Sequence, residues 1–359
     1  MSATSRPGFL LACAATLLAL LVVLLGAYTR LTHAGLGCPD WPGCYGFIHV
    51  PATEAQLAHA EARFPDAPVE AHKGWNEMIH RYFAGSLGLL VLGLAAHALR
   101  RRGRDGQPLK LPLLVLAVIV AQAAFGMWTV TLKLWPQVVT AHLLGGFATL
   151  GLLFLLALRL SGRVPAQAPY APRLRVLAAA CLALAIGQIA LGGWVSSNYA
   201  AMACIDLPTC QGRWWPDMDF AAGFNLTQHI GPNYLGGQLD SEARTAIHLS
   251  HRLGAALLSL ALLTLAWRLW RHHLAGHAGL LLLVLALQVG LGLSNVLFHL
   301  PLPVAVAHNG GGALLLLSLI LVNYRLAAHR PRVAATDDAL RRDPRWLPLD
   351  DTPPRSRVA

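Results

Sequence analysis

The sequence predicts an all-α, polytopic membrane protein: eight transmembrane helices, arranged as two tandem four-helix bundles related by pseudo-two-fold symmetry. Three observations carry this prediction. Of the 359 residues 55% are hydrophobic and only 13% are charged, about half the ~25% charge usual for soluble domains. Apolar runs of about 20 residues, the length that spans a bilayer core of about 30 Å, recur from end to end. Matching residues also recur at one fixed spacing. The composition excludes an ordinary soluble enzyme and a disordered chain. Porin-type barrels are excluded as well, because their strands are short and alternate in polarity.

The spans fall at roughly 9–29, 74–99, 111–131, 137–159, 174–197, 244–270, 278–298 and 303–326. A cleaved signal peptide is the competing reading of the first run. Phe9 to Tyr28 is long enough to span, however, and no A-x-A site follows, so it is read as an anchor. Two connections are long, about 30–73 and 198–243. Loops of that length in a compact protein are usually functional. The stretch after about 329 is rich in Arg, Pro and Asp and reads as a disordered cytoplasmic tail.

The net charge of +11 would suggest nucleic acid in a soluble protein. Here only three residues are lysine, and the arginines sit at the ends of apolar runs. Sorted by side, 20 of the 28 Lys/Arg residues fall with the N-terminus, three short loops and the tail; Arg100, Arg101, Arg102, Arg104, Arg159, Arg163, Arg173 and Arg175 are among them. Eleven of the 17 acids fall on the opposite side. The positive-inside rule then places both termini in the cytoplasm and the two long loops outside. The charge is a topology signal, and no nucleic-acid partner is expected.

The repeat is visible on halving the chain. Gly26 and Gly192, Cys38 and Cys204, Cys44 and Cys210, Gln122 and Gln288, Gly126 and Gly292, and His142 and His308 share a spacing of 166 residues. His80-Arg81 and His251-Arg252 match at 171, as one small insertion in the second long loop would give. Both halves start on the same side, so the duplication is parallel, about an axis along the membrane normal. The units expected are 1–165 and 166–328, followed by the tail 329–359.

Four histidines, His80, His142, His251 and His308, lie about five to seven residues into their predicted helices, roughly 7–10 Å below the outer end. An imidazole inside a span is costly unless paired. Taken singly, each reads as a helix-bridging residue. Four at one depth, two per half, read as ligands. Facing pairs with nothing else suit both axial positions of a haem iron, whereas zinc asks for further Cys, Asp or Glu ligands. Glycines follow two of them, in AHLLGG (141–146) and AHNGGG (307–312), and would let a flat macrocycle approach the backbone. Arg81 and Arg252 are placed to pair with propionates.

The halves differ one turn earlier. The first reads Glu77-Met-Ile-His80-Arg81 and the second His248-Leu-Ser-His251-Arg252. Glu77 shares a helix face with His80, where it is a candidate proton acceptor. A carboxylate near a helix N-terminus is also favoured without any function; its absence from the second half favours function. The cysteines at 38, 44, 204 and 210 sit in the long outer loops, an oxidising setting where disulfides are expected. Structural staples and a redox or transfer role both remain open. Cys13 and Cys181 lie in spans and read as packing residues.

RLTHAGLGCPDWPGC (30–44), EMIHRYFAG (77–85), TAHLLGG (140–146), HLSHRLGA (248–255) and VAHNGGG (306–312) together resemble the haem A synthase family, over about residues 9–328. The resemblance implies a bacterial inner-membrane enzyme that oxidises the C8 methyl group of haem O to the formyl group of haem A, for cytochrome oxidase. It implies that His251 and His308 ligate a resident haem b, that His80 and His142 flank the substrate haem, and that Glu77 is the family's essential acid. It also implies disulfides Cys38–Cys44 and Cys204–Cys210, haem O synthase as substrate donor, and a tendency to form homo-oligomers. A bis-histidine dihaem electron-transfer cytochrome and a haem transporter or chaperone are the competing readings. The cytochrome does not explain a Glu77 confined to one half or the two C-x5-C loops, and the transporter would need no resident haem and no turnover.

Overall fold

The computed structural model describes residues 6–104, 107–162, 170 and 172–327; the predicted tail lies outside them. Eight helices are long and apolar enough to cross a membrane. They are α1 (Phe9–Leu31), α3 (Ala71–Arg100), α4 (Lys110–Thr131), α5 (Pro136–Ser161), α6 (Pro172–Ser197), α8 (Ser241–Arg271), α9 (Ala275–Leu297) and α10 (Leu302–Leu326). All eight predicted spans are present, each longer by a few residues at one or both ends. Two short helices were not predicted: α2 (Glu54–Arg63) and α7 (Phe220–Gly223), one in each long loop. Thr53 opens α2 with a capping box, its side chain accepting from the Gln56 amide while Gln56 reaches back to the Thr53 N–H. Asp219 caps α7 through the Ala222 amide.

Helix neighbours repeat between the halves. In the first, α1 and α4 each touch both α3 and α5; in the second, α6 and α9 each touch both α8 and α10. Across the halves α5 meets α6, α1 meets α10, and α5 meets α10. This pattern is compatible with two tandem four-helix bundles in a two-fold arrangement. Its consequence for the site lies on the diagonals. Among the described residues no Cα of α3 lies within 8 Å of one in α5, and none of α8 within 8 Å of one in α10. The histidine-bearing helices of each half therefore stand on the diagonal of their bundle.

Packing follows membrane rules. Ala12, Ala15 and Ala19 of α1 are buried, and such small residues let backbones approach closely where lipid removes the hydrophobic drive for association. Leu150, Leu153 and Leu156 of α5 fill the first core, and Leu262, Leu265 and Leu281 of α8 and α9 the second. Large apolar side chains such as Leu10 and Leu283 point outward, as lipid-facing residues do. At the end away from the long loops, Asn323 of α10 donates to the Ala178 carbonyl of α6 at 3.0 Å.

That bond is the basis of a stability prediction. Asn323→Leu should cost about 0.6–1.7 kcal/mol, the range for interhelical hydrogen bonds in bilayers, measured by unfolding in mixed micelles. An unchanged midpoint would show that the bond holds nothing.

Candidate functional site

The long-loop end is built from two copies of one loop. In the first, Cys38 is joined to Cys44, and in the second Cys204 to Cys210, each with a Cα–Cα distance of 4.7 Å. A carboxylate sits inside each ring. Asp40 accepts from the Tyr45 and Gly46 amides at 2.6 and 2.7 Å. Asp206 accepts from the Gln211 and Gly212 amides at 2.7 and 3.0 Å and from the Thr209 hydroxyl at 2.5 Å. These bonds fix a turn in which Tyr45, Gly46, Gln211 and Gly212 have left-handed φ, at 55°, 83°, 56° and 72°. The Thr209 hydroxyl, followed by the Gly212 amide, holds the Asp206 carboxyl below its ordinary range. Asp40 and Asp206 are themselves 166 apart, a match the sequence analysis did not count.

Each loop is clamped by the arginine after a predicted ligand. Arg81 sends Nη1 to the carbonyls of Asp40, Pro42 and Gly43 and Nη2 to Glu77 at 2.5 Å. Arg252 donates to the carbonyls of Cys204 and Thr209 at 2.8 and 2.9 Å. The sequence placed both as propionate partners. The structure turns their Nη atoms to the loops, with Nε of Arg252 buried and without a hydrogen bond.

Glu77 is 5% exposed. Besides Arg81 it accepts from the Cys38 amide at 2.9 Å, so it joins α3, the disulfide loop and the arginine in one charge-assisted cluster. At its counterpart in the second half, His248, equally buried, pairs through Nδ1 with the Ala200 carbonyl at 2.9 Å. The loop lies tightly on α3 beside this cluster. A Cβ on Gly37 would sit 2.5 Å from the Lys73 carbonyl carbon.

The four predicted ligands are partly buried, and each rests on a glycine of a neighbouring helix. A Cβ on Gly26 would lie 3.1 Å from Cε1 of His80; the same distances are 3.4 Å for Gly126 and His142, 3.3 Å for Gly192 and His251, and 3.1 Å for Gly292 and His308. In the sequence these glycines served only as repeat markers. The structure shows why each lacks a side chain: it backs an imidazole. His80 and His142 lie within electrostatic reach of each other, and so do His251 and His308, so each half turns two imidazoles toward each other from diagonal helices. Among the described residues no group of three or more His, Cys, Asp or Glu could hold a bare metal ion. Two of the glycines after His142 and His308 make room for a neighbouring side chain. Gly145 and Gly311 face the carboxamides of Gln122 and Gln288, at 1.7 and 2.2 Å from a virtual Cβ.

The halves also meet at this end. Arg30 of α1 donates to the Ser196 carbonyl at 2.6 Å and lies 4.0 Å from the Tyr199 ring centroid, while His33 stacks on the same ring. The Arg30–Ser196 and His33–Tyr199 contacts each join a position to its repeat-mate 166 residues on, which is compatible with a two-fold arrangement. The second long loop reaches back over the first half: the Tyr234 amide donates to the Lys133 carbonyl at 3.0 Å, and Trp135 Nε1 to the Gln228 carbonyl at 3.2 Å. Nothing in the sequence pattern signals these contacts.

The packing of Gly37 on α3 gives a test of the cluster. Gly37→Ala should push the loop away from α3 and raise the rate at which mild reductant and a thiol label open Cys38–Cys44 by about tenfold, equivalent to losing one charge-assisted hydrogen bond. Cys204–Cys210 in the same molecule should be unaffected. Equal rates for both disulfides would show that the Glu77 cluster does not hold the loop.

Comparison with known proteins agrees with this arrangement. The family model described as cytochrome oxidase assembly protein matches residues 9–320. The Heme A synthase of Shewanella oneidensis is 52% identical over 309 residues, covering 86% of this chain and 93% of that protein. The Heme A synthase of Paracoccus denitrificans is 30% identical, covering 84% and 82%, and that of Rhodospirillum centenum is 29% identical, covering 87% and 86%. With duplicated loops, paired imidazoles and a family match along nearly all of its described length, the chain belongs to the haem A synthase family of cytochrome oxidase assembly proteins.

Proposed function

We propose that this chain oxidises the C8 methyl group of haem O to a formyl group, giving haem A for cytochrome oxidase. In this reading residues 1–165 hold the substrate between His80 and His142, and residues 166–328 hold a resident haem b between His251 and His308. The observation that carries it is the repeated diagonal placement of one histidine pair in each half. Three further features fit an iron porphyrin there. Nδ1 of His80, His142 and His308 is buried without a hydrogen bond. The rings are backed by glycine. Paired imidazoles complement an iron whose remaining positions a macrocycle fills. When bound, haem b supplies a reversible one-electron centre.

The protein's own part in the chemistry is positional and electrostatic. His80 and His142 hold the substrate at a fixed depth. Glu77, three residues before His80 on the same helix face, presents a carboxylate next to the first site. There it accepts the proton lost as the methyl group is oxidised, or stabilises positive charge developing on that carbon. Arg81 and the Cys38 amide fix its position. The second half carries His248 in its place, which suits a site that moves electrons and transforms nothing. By the family resemblance the oxidation would pass through hydroxylated stages to a hydrate that loses water, with four electrons passing to an external acceptor and one oxygen atom supplied from outside the protein. The arginine bias puts the termini in the cytoplasm of a bacterial inner membrane and the disulfide loops outside. Haem O synthase is the proposed donor of substrate, and association of several copies is carried over from the family.

The test is co-expression with a haem O source in a host lacking haem A, followed by chromatography of extracted haems. Haem A should appear. A b-type spectrum without haem A would leave an electron carrier, and neither would leave a transporter. In the same host Glu77→Gln should abolish most haem A while keeping haem b content normal. Full haem A output from that variant would remove Glu77 from the mechanism.

A further inference from the structure

The two arginines that follow the histidines are engaged elsewhere: Arg81 and Arg252 hold the disulfide loops. Arg30 is a third guanidinium at the same end, and the groups it touches are neutral. It stands four residues beyond Gly26, the glycine that backs His80. Positions four apart share a helix face. Arg30 therefore lies on the His80 side of α1, one turn, about 6 Å, nearer the long loops. Its Nη2 donates to the Ser196 carbonyl at 2.6 Å, and its guanidinium lies 4.0 Å from the centroid of the Tyr199 ring. Among the described residues it forms no ion pair.

A charge so placed is costly. Nε of Arg30 is buried, and a desolvated charge stands only when it is paired and hydrogen-bonded. A guanidinium carries five N–H donors in a planar fork. One carbonyl and one aromatic ring leave its charge unanswered. Tyr199 holds the head group in place, and His33 stacks on the same ring at 5.6 Å with 8° between the planes. The repeat-mate of Arg30 is Ser196, so the charge belongs to the first half alone. The group that suits a planar fork is a carboxylate. Glu77, the buried carboxylate beside His80, is already taken by Arg81 and the Cys38 amide. A haem brings two carboxylates of its own, and these too need partners inside a span.

We propose that Arg30 is the propionate-binding residue of the first half: its guanidinium, propped on the Tyr199 ring, takes a carboxylate of the haem held by His80 and His142. This rests on the assignment of a haem to that histidine pair. Tyr199 and His33 are positioning residues, acting through Arg30.

The probes are iron protoporphyrin and its dimethyl ester, which keeps the ring and the iron but has no carboxylate charge. Full-length apoprotein carrying His251→Ala is titrated with each, and the low-spin band that needs both imidazoles reports the first site. The diacid should bind about tenfold more tightly than the ester, on the scale of one charge-assisted hydrogen bond. Arg30→Gln should weaken the diacid by that factor and leave the ester unchanged. In a His80→Ala background, where the low-spin band reports the second site, Arg30→Gln should change the binding of neither porphyrin. Should Arg30→Gln fail to fold, Arg30→Lys decides, because a point charge without the planar fork should cut the preference about threefold. Equal binding of diacid and ester at the first site, a preference that survives the substitution of Arg30 undiminished, or a loss confined to the second site would each overturn the proposal while leaving the functional reading standing. No low-spin binding of either porphyrin at the first site would overturn both.

Discussion

An imidazole inside a bilayer has to find its partner among protein groups, because no water is there to supply one. Four of them at similar positions in four helices set the design of the long-loop half of this molecule. Each ring needs room, which a glycine on the next helix provides. Each pair comes from helices on the diagonal of the bundle, whose Cα atoms stay more than 8 Å apart. Two imidazoles alone are a poor site for a bare cation with tetrahedral demands. They suit an iron whose other ligands arrive with it.

On that shared scaffold the halves diverge by a few side chains. The disulfide loops, their internal aspartates and their arginine clamps are the same device twice. What changes is what lies beneath them. Glu77 in the first half is a buried carboxylate held by a guanidinium and a backbone amide; a buried cluster of this kind stands only when each charge is paired and hydrogen-bonded. His248 in the second pairs through Nδ1 with the Ala200 carbonyl. This difference falls on α3, which gives one helix of the first half a carboxylate its counterpart lacks at that position.

The spans were legible because a bilayer permits little else: 20 apolar residues in a row have one stable form there. The repeat was legible because glycines, cysteines and histidines have roles few other residues can fill. Those same glycines at 26, 126, 192 and 292 marked the repeat without revealing that they back the histidines, since contact between two helices leaves no local pattern in either. Helix α2 had a readable signature, Thr53-x-x-Gln56, overshadowed by the longer apolar runs. The arginines show the opposite limit. Spacing placed Arg81 and Arg252 beside the histidines, but which acceptors they take depends on where a loop 40 residues away folds back. The reach of the second loop over the α4–α5 turn is of the same kind.

The claim that most of this rests on is that two diagonal histidine pairs hold two separate haems with different jobs. The direct measurement is the optical and electron paramagnetic resonance spectrum of purified protein from four single variants, His80→Ala, His142→Ala, His251→Ala and His308→Ala. Losing the resident low-spin b-type signal in both His251→Ala and His308→Ala, and in neither of the other two, is the predicted result. Loss of that signal in His80→Ala or His142→Ala, with the second-half variants intact, would reverse the two halves and contradict the account.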